Sequence, residues 1–172
     1  MPRGVSLPGM DKLPDWLVMA VAKVLWIGDL KPAPGTLGAL AGTVFYAVAL
    51  QDTSNGAKLF AIVVLLAIGS IFCDEAEKRI GTTDPGCVVF DEFAVMPIVF
   101  MGLATPASLP WRLAQLFAGF ALFRAFDIAK PYGISRIQDL PGGLGIVADD
   151  VVAAVASCAI MHILTFVAIH AR

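Results

Sequence analysis

Charged residues are missing from five long stretches of the chain: 32–51, 59–73, 93–111, 113–123 and 151–171. A helix needs about 20 mostly apolar residues to cross a bilayer, and 151–171 meets that length by itself. The apolar segments 37–50 and 59–73 are shorter and span only with help from their neighbours. Segment 113–126 spans only if Arg124 snorkels to the interface. Segment 93–104 contains Pro97, which should kink any helix there. The pattern predicts an all-α helical bundle of four to five hydrophobic helices, mostly membrane-embedded and some half-spanning.

The polar joints give the order. Residues 51–58 (QDTSNGAK) hold Asn55-Gly56, a turn signal, and should close one helical hairpin. Residues 105–112 (TPASLPWR), with two prolines, should close a second. Five spans then leave 1–31, 74–92 and 127–150 on one side. Arg3, Lys12, Lys23, Lys31, Lys78, Arg79, Arg124, Lys130 and Arg136 fall on that side, and Lys58, Arg112 and Arg172 on the other. Nine against three is the positive-inside pattern, which predicts that the long polar regions are cytoplasmic. Near the start, 16–22 (WLVMAVA) is apolar, but Asp11 and Asp15 cancel Arg3 and Lys12, so a signal peptide's positive flank is missing. Residues 14–27 read instead as an interfacial or buried helix, with Pro14 near its start and Lys23 snorkelling.

Composition agrees. The 172 residues suit a single domain, 1–172; 58% are hydrophobic, 15% are charged, and the mean hydropathy is +0.81. Soluble domains average about 25% charged residues. A net charge of −2 offers no basic field for a nucleic acid. Cys73, Cys87 and Cys158 form no CxxC pair, which argues against a disulfide scaffold or a zinc site.

Against that background the acids stand out. Asp91-Glu92 precedes the apolar run from Phe93, Asp127 closes the run from Leu113, and Asp149-Asp150 opens the last helix. Ionisable groups at a membrane boundary are expensive and mark functional sites. Asp149 or Asp150 could also serve as a helix cap, though two adjacent acids exceed what a cap needs. Val89-Phe90-Asp91-Glu92 and Val147-Ala148-Asp149-Asp150 share a V-x-D-acid pattern. Gathered acids require raised pKa values or a metal ion. An all-oxygen set without His or thiolate suits Mg²⁺ rather than zinc; His162 and His170 lie in the last apolar run and read as interhelical or interfacial groups. Arg124, Asp127 and Lys130, three apart, share a helix face. They form either an ion-pair ladder or a site in which Arg124 and Lys130 bind an anion while Asp127 faces a metal. The loops 141–145 (PGGLG) and 31–36 (KPAPGT) are turns or phosphate-approaching backbone, and Thr36 is placed to cap the helix that follows. A Cys-x5-Arg phosphatase loop is excluded, because Phe93 stands where the arginine after Cys87 would be. No Walker A loop or GxSxG elbow is present.

Pro34-Gly35-Thr36 with Gly38, Asp91-Glu92, Phe123-Arg124-x-Phe126-Asp127-Ile128-x-Lys130-Pro131, Gly142-Gly143-x-Gly145-Ile146 and Asp149-Asp150 occur in this order. In this the chain resembles the A-type phosphatidylglycerophosphatases, over roughly residues 31–154. Two positions depart from that pattern: Val95 replaces a glycine three residues after the Glu of the DE pair, and Gly133 replaces a proline. The resemblance implies a Mg²⁺-dependent enzyme of the bacterial inner membrane, with its site on the cytoplasmic side. Such an enzyme removes the terminal phosphate of a phospholipid, phosphatidylglycerophosphate. Asp91, Glu92, Asp127, Asp149 and Asp150 would then bind Mg²⁺ and activate water. Lys31, Arg124 and Lys130 would hold the phosphate, and Thr36 would join the catalytic group. The alternatives are a CDP-alcohol phosphotransferase, whose DxxDGxxAR pattern is absent, and a small transporter, which would place its acids near mid-membrane in inverted repeats.

Overall fold

The computed structural model describes residues 9–129 and 143–170. Six helices account for most of them: α1 (Asp15–Ala22), α2 (Pro34–Phe45), α3 (Asn55–Ile80), α4 (Phe90–Val99), α5 (Leu109–Ala129) and α6 (Gly143–His170). No strand occurs among the described residues, so the expectation of an all-α fold holds.

Each boundary has a local cause. Pro34 occupies the first turn of α2, where its missing N–H costs nothing. At its far end α2 runs into one turn of π-helix, Tyr46–Leu50, closed by Gln51 N–H donating to Tyr46 O at 2.8 Å. Ser54 caps α3, its Oγ accepting from Ala57 N–H at 3.2 Å, and Gly81 ends that helix with φ +81°. Asn55-Gly56, expected as a turn, is therefore the first turn of α3. The helix also overruns the apolar stretch by two turns, where Asp74–Lys78 (2.6 Å) and Glu75–Arg79 (2.8 Å) pair one turn apart. α4 is short: Pro97 sits in its last turn and Gly102 follows with φ +76°.

α4 is the hub, packed against α2, α3, α5 and α6. Three glycines let α2 lie close along it: a Cβ at Gly38 would meet Val89 Cβ at 2.8 Å, and one at Gly42 would meet Phe93 O at 2.4 Å. Gly38 against Val89 and Gly42 against Phe93 keep one register, so α2 and α4 run parallel, and the Glu92 side chain reaches Gly35. One core joins Tyr46, Val95, Met96, Val99, Phe100, Phe123, Ala154 and Met161, with Tyr46 stacked on Phe100 at 4.6 Å. A second joins α1 and α3 to the start of α4 through Val18, Ala22, Cys73, Ala76, Val88 and Phe90. Fully burying a side chain such as Phe123 contributes about 2–3 kcal/mol.

Among the described residues two helical segments are long and apolar enough to cross a membrane, Asn55–Ile80 and Val147–Ala168, fewer than the four to five expected. Pro34–Leu50 is apolar but shorter, α4 has ten residues, and α5 carries Arg112, Gln115 and Arg124 within its length. Only 22% of each long apolar window is buried. Their outer faces expose Phe60, Val63, Ile163 and Phe166.

Candidate active site

Five helix ends meet at one end of the bundle: the starts of α2, α4 and α6 and the ends of α3 and α5. Asp91 and Glu92 fall in the first turn of α4, where carboxylates complement the helix dipole. Asp150 comes from the end of the second turn of α6. One carboxylate oxygen from each of Asp91, Glu92 and Asp150 lies within 4.8 Å of the other two, and Asp91 and Asp150 are buried. α6 starts at Gly143, well before the acids. Asp149 and Asp150 are thus interior helix residues, and capping does not explain them. The same boundary puts Gly143-Leu144-Gly145 in the first turn of α6, not in a loop. Asp149 is buried beside the trio, and its Oδ1 accepts from Asp150 N–H at 3.1 Å.

α5 brings Arg124 and Asp127 to the same place, one helical turn apart, with Arg124 Nη1 donating to Asp127 Oδ2. The N-terminus of α2 completes the wall. A Cβ on Gly35 would lie 2.2 Å from Glu92 Oε1 and 3.7 Å from Arg124 Nη1, so a side chain there would displace the Glu92 carboxylate from this position. Thr36 is half-buried in the first turn of α2; the cap position is Ala33, which makes no side-chain capping bond. The expected capping role of Thr36 is therefore not realised. Lys31 is exposed on the approach to α2. Lys130, Gly133 and Gly142 lie outside the described residues.

Crowding shows in the protonation of the acids. Burial, then the neighbouring Glu92, pushes Asp91 well above the usual carboxylate range. Glu92 is pushed up to about 7 by burial and by the charges of Asp150 and Asp127, against a hydrogen bond from Asp91 that lowers it. Glu92 Oε2 and Arg124 Nε are both buried with no hydrogen-bond partner. An orphan acceptor among three converging carboxylates fits a hard divalent cation. An orphan guanidinium donor at its edge fits an anion.

The sequence reading missed three contributors. Cys73 of α3 lies fully buried against the start of α4. Asp84 adds negative charge beside Asp91. Gly35 acts by its lack of a side chain. None carries a charge pattern along the chain that points to the site; Gly35 alone fell within a motif.

Residues 20–165 match the family model described as Phosphatidylglycerophosphatase A. The chain belongs to the phosphatidylglycerophosphatase A family. Phosphatidylglycerophosphatase A of Haemophilus influenzae is 41% identical over 131 residues, covering 74% of this chain and 76% of that protein. Phosphatidylglycerophosphatase A of Escherichia coli K12 is 37% identical over 151 residues, covering 86% of this chain and 81% of that protein. No solved structure matches the chain. Val95, the departure from the family's usual glycine, is fully buried in α4 within the main core, so the larger side chain is accommodated.

Proposed function

We infer that this chain is a phosphatidylglycerophosphatase, releasing inorganic phosphate from phosphatidylglycerophosphate to leave phosphatidylglycerol. Family membership supports the substrate. The observation that carries the chemistry is the convergence of Asp91, Glu92 and Asp150 within 4.8 Å, beside an Arg124 whose buried Nε has no partner.

Asp91, Glu92 and Asp150 would hold Mg²⁺, with Asp127 and Asp149 supporting them from either side. The ion, when bound, supplies polarisation of the phosphoryl oxygens and a water acidic enough to attack near neutral pH. Phosphoryl transfer otherwise needs mainly positioning and charge stabilisation. Asp127 fixes the guanidinium through Nη1 and leaves Nε to donate to a phosphate oxygen. Water adds to phosphorus, the bond to the glycerol oxygen breaks, and that oxygen leaves with a proton. Lys31 and Lys130 are assigned to the incoming dianion by sequence alone.

The chain would sit in the bacterial inner membrane with α3 and α6 crossing it and the shorter helices packed alongside. The nine-to-three distribution of Lys and Arg favours the acid end on the cytoplasmic side. Purified protein, assayed for phosphate release from phosphatidylglycerophosphate with Mg²⁺ and again after exhaustive chelation, tests the reading. Release that depends on Mg²⁺ is expected. No release overturns the activity, and full release in chelator overturns the metal.

A further inference from the structure

Between α1 and α2 the chain makes a turn that L-residues rarely adopt. Val24, Leu25 and Trp26 have φ of 49°, 53° and 66°. Left-handed residues normally occur singly and are mostly Gly, Asn or Asp. Three in a row, beginning with a β-branched one, persist only where the surroundings over-determine them. Here Leu25 N–H donates to Ala20 O at 2.7 Å, Gly28 N–H to Lys23 O at 2.9 Å, and Lys23 Nζ pairs with Asp29 at 2.7 Å. What the strain achieves is outward display: Leu25 is 74% exposed and Trp26 50%. Trp16 of α1 and Leu30 are exposed as well.

The turn is also fastened to the acid cluster. Ala22 O, just before it, accepts from Val89 N–H at 2.9 Å, and Val89 precedes Asp91 by two residues. Just after it, a Cβ on Gly28 would fall 1.9 Å from Cys87 O. The protruding tip therefore stands at the same end of the bundle as the carboxylates, outside both long apolar helices.

We propose that the Leu25–Trp26 turn is a lipid-interface anchor: its apolar tip enters the headgroup–acyl boundary of a phospholipid bilayer and holds the acid cluster at headgroup depth. Leucine and tryptophan are the side chains of interfacial anchors, with the indole at headgroup level. The exposed Lys31 follows within the same loop and suits anionic headgroups. A protein partner fits poorly, because a few projecting side chains fall far short of the roughly 800 Å² per partner that a stable interface takes.

The test has two arms, and only the kinetic arm rests on the phosphatase reading. In a full-length Trp16→Phe, Trp111→Phe protein reconstituted into phosphatidylcholine–phosphatidylglycerol vesicles, Trp26 is the sole indole. Its emission should be blue-shifted, quenched by lipids brominated high on the acyl chain, and shielded from aqueous iodide. Red-shifted emission, open to iodide and untouched by brominated lipid, overturns the proposal. So does shielding that appears in lipid-poor detergent as protein concentration rises, which would signify a second copy. The Leu25→Gly, Trp26→Gly variant relieves the left-handed strain while deleting the tip, so its Tm should be unchanged or higher. Its KM should rise about tenfold for bilayer-embedded phosphatidylglycerophosphate and stay unchanged for a soluble short-chain lipid phosphate. Equal losses on both substrates overturn the proposal. If wild type hydrolyses neither, the phosphatase reading fails and the fluorescence arm still decides the anchor.

Discussion

At one end of the bundle Arg112 reaches Asp52 at 3.0 Å and Pro106 O at 2.9 Å, and Thr105 Oγ1 donates to Gln51 O at 3.0 Å. His162 Nε2 meets Met101 O at 3.0 Å there as well. These contacts tie the two interhelical turns to each other and to α6, mostly at or near the surface. At the other end Asp91, Glu92 and Asp150 crowd together out of water, and Arg124 is turned aside to Asp127. The first arrangement is what loops need to stay closed. The second is costly as it stands, because buried like charges repel; raised proton affinity is the sign of that cost, and a divalent cation would remove it. The difference separates polar groups that serve the fold from those that serve chemistry.

Neutralising the acid end should have the largest effect. Glu92→Gln, Asp91→Asn and Asp150→Asn are each expected to lower kcat at least about a hundredfold. Thermal stability of the metal-free protein should hold or rise, since a buried charge is gone. Asp149→Asn should cost only about tenfold, because its carboxylate supports Asp150 from the side. Phosphate release measured beside Tm in chelator checks all four. Near-normal turnover in the trio would make this end as structural as the other.

Arg124→Lys comes next. Lysine keeps the charge but loses the planar fork and Nε, so kcat/KM should fall about tenfold to a hundredfold with stability retained. A variant indistinguishable from wild type would remove Arg124 from phosphate binding.

The pH response sharpens the contrast further. Glu92 moves from 4.5 when unfolded to about 7 when folded, and Asp91 moves in the same direction. The folded state thus binds more protons than the unfolded state in this window. The stability these protons confer is complete below the unfolded value and is lost as pH rises through about 7. Metal-free protein should melt at progressively lower temperature from pH 4.5 to 8, and saturating Mg²⁺ should abolish the decline. Mg²⁺ affinity should in turn weaken by about tenfold per pH unit below 7 for each proton displaced. A flat melting profile in chelator would refute the protonated cluster.

The smallest effect belongs to the opposite end. Asp52 is well exposed, so Asp52→Asn should cost no more than about 0.5 kcal/mol of stability and leave turnover unchanged. Denaturant unfolding and the phosphate assay read both.

The charge-free stretches along the chain determined helices and their order, because helical backbone and apolar side chains are what a low-dielectric surrounding tolerates. The acid-bearing motifs named Asp91, Glu92, Arg124, Asp127 and Asp150 as the residues that do not belong to that background. Neither pattern carries distances. Only the packing placed α4 at the centre and set Gly35 against Glu92, leaving Asp149 beside the trio and not in it. It decided, too, that α6 begins far enough before Asp149 to rule out a cap. Helix ends shifted from the sequence reading because Ser54, Gly81, Pro97 and the ion pairs one turn apart in α3 act over single turns, below the length at which hydrophobic periodicity is legible. The left-handed turn at Val24, Leu25 and Trp26 has no signature at all in the sequence, since no glycine or asparagine marks it. Contacts with Ala20, Lys23, Cys87 and Val89 hold it: the first two belong to α1 and its cap, and the other two, on the approach to α4, reach it only once the chain has folded.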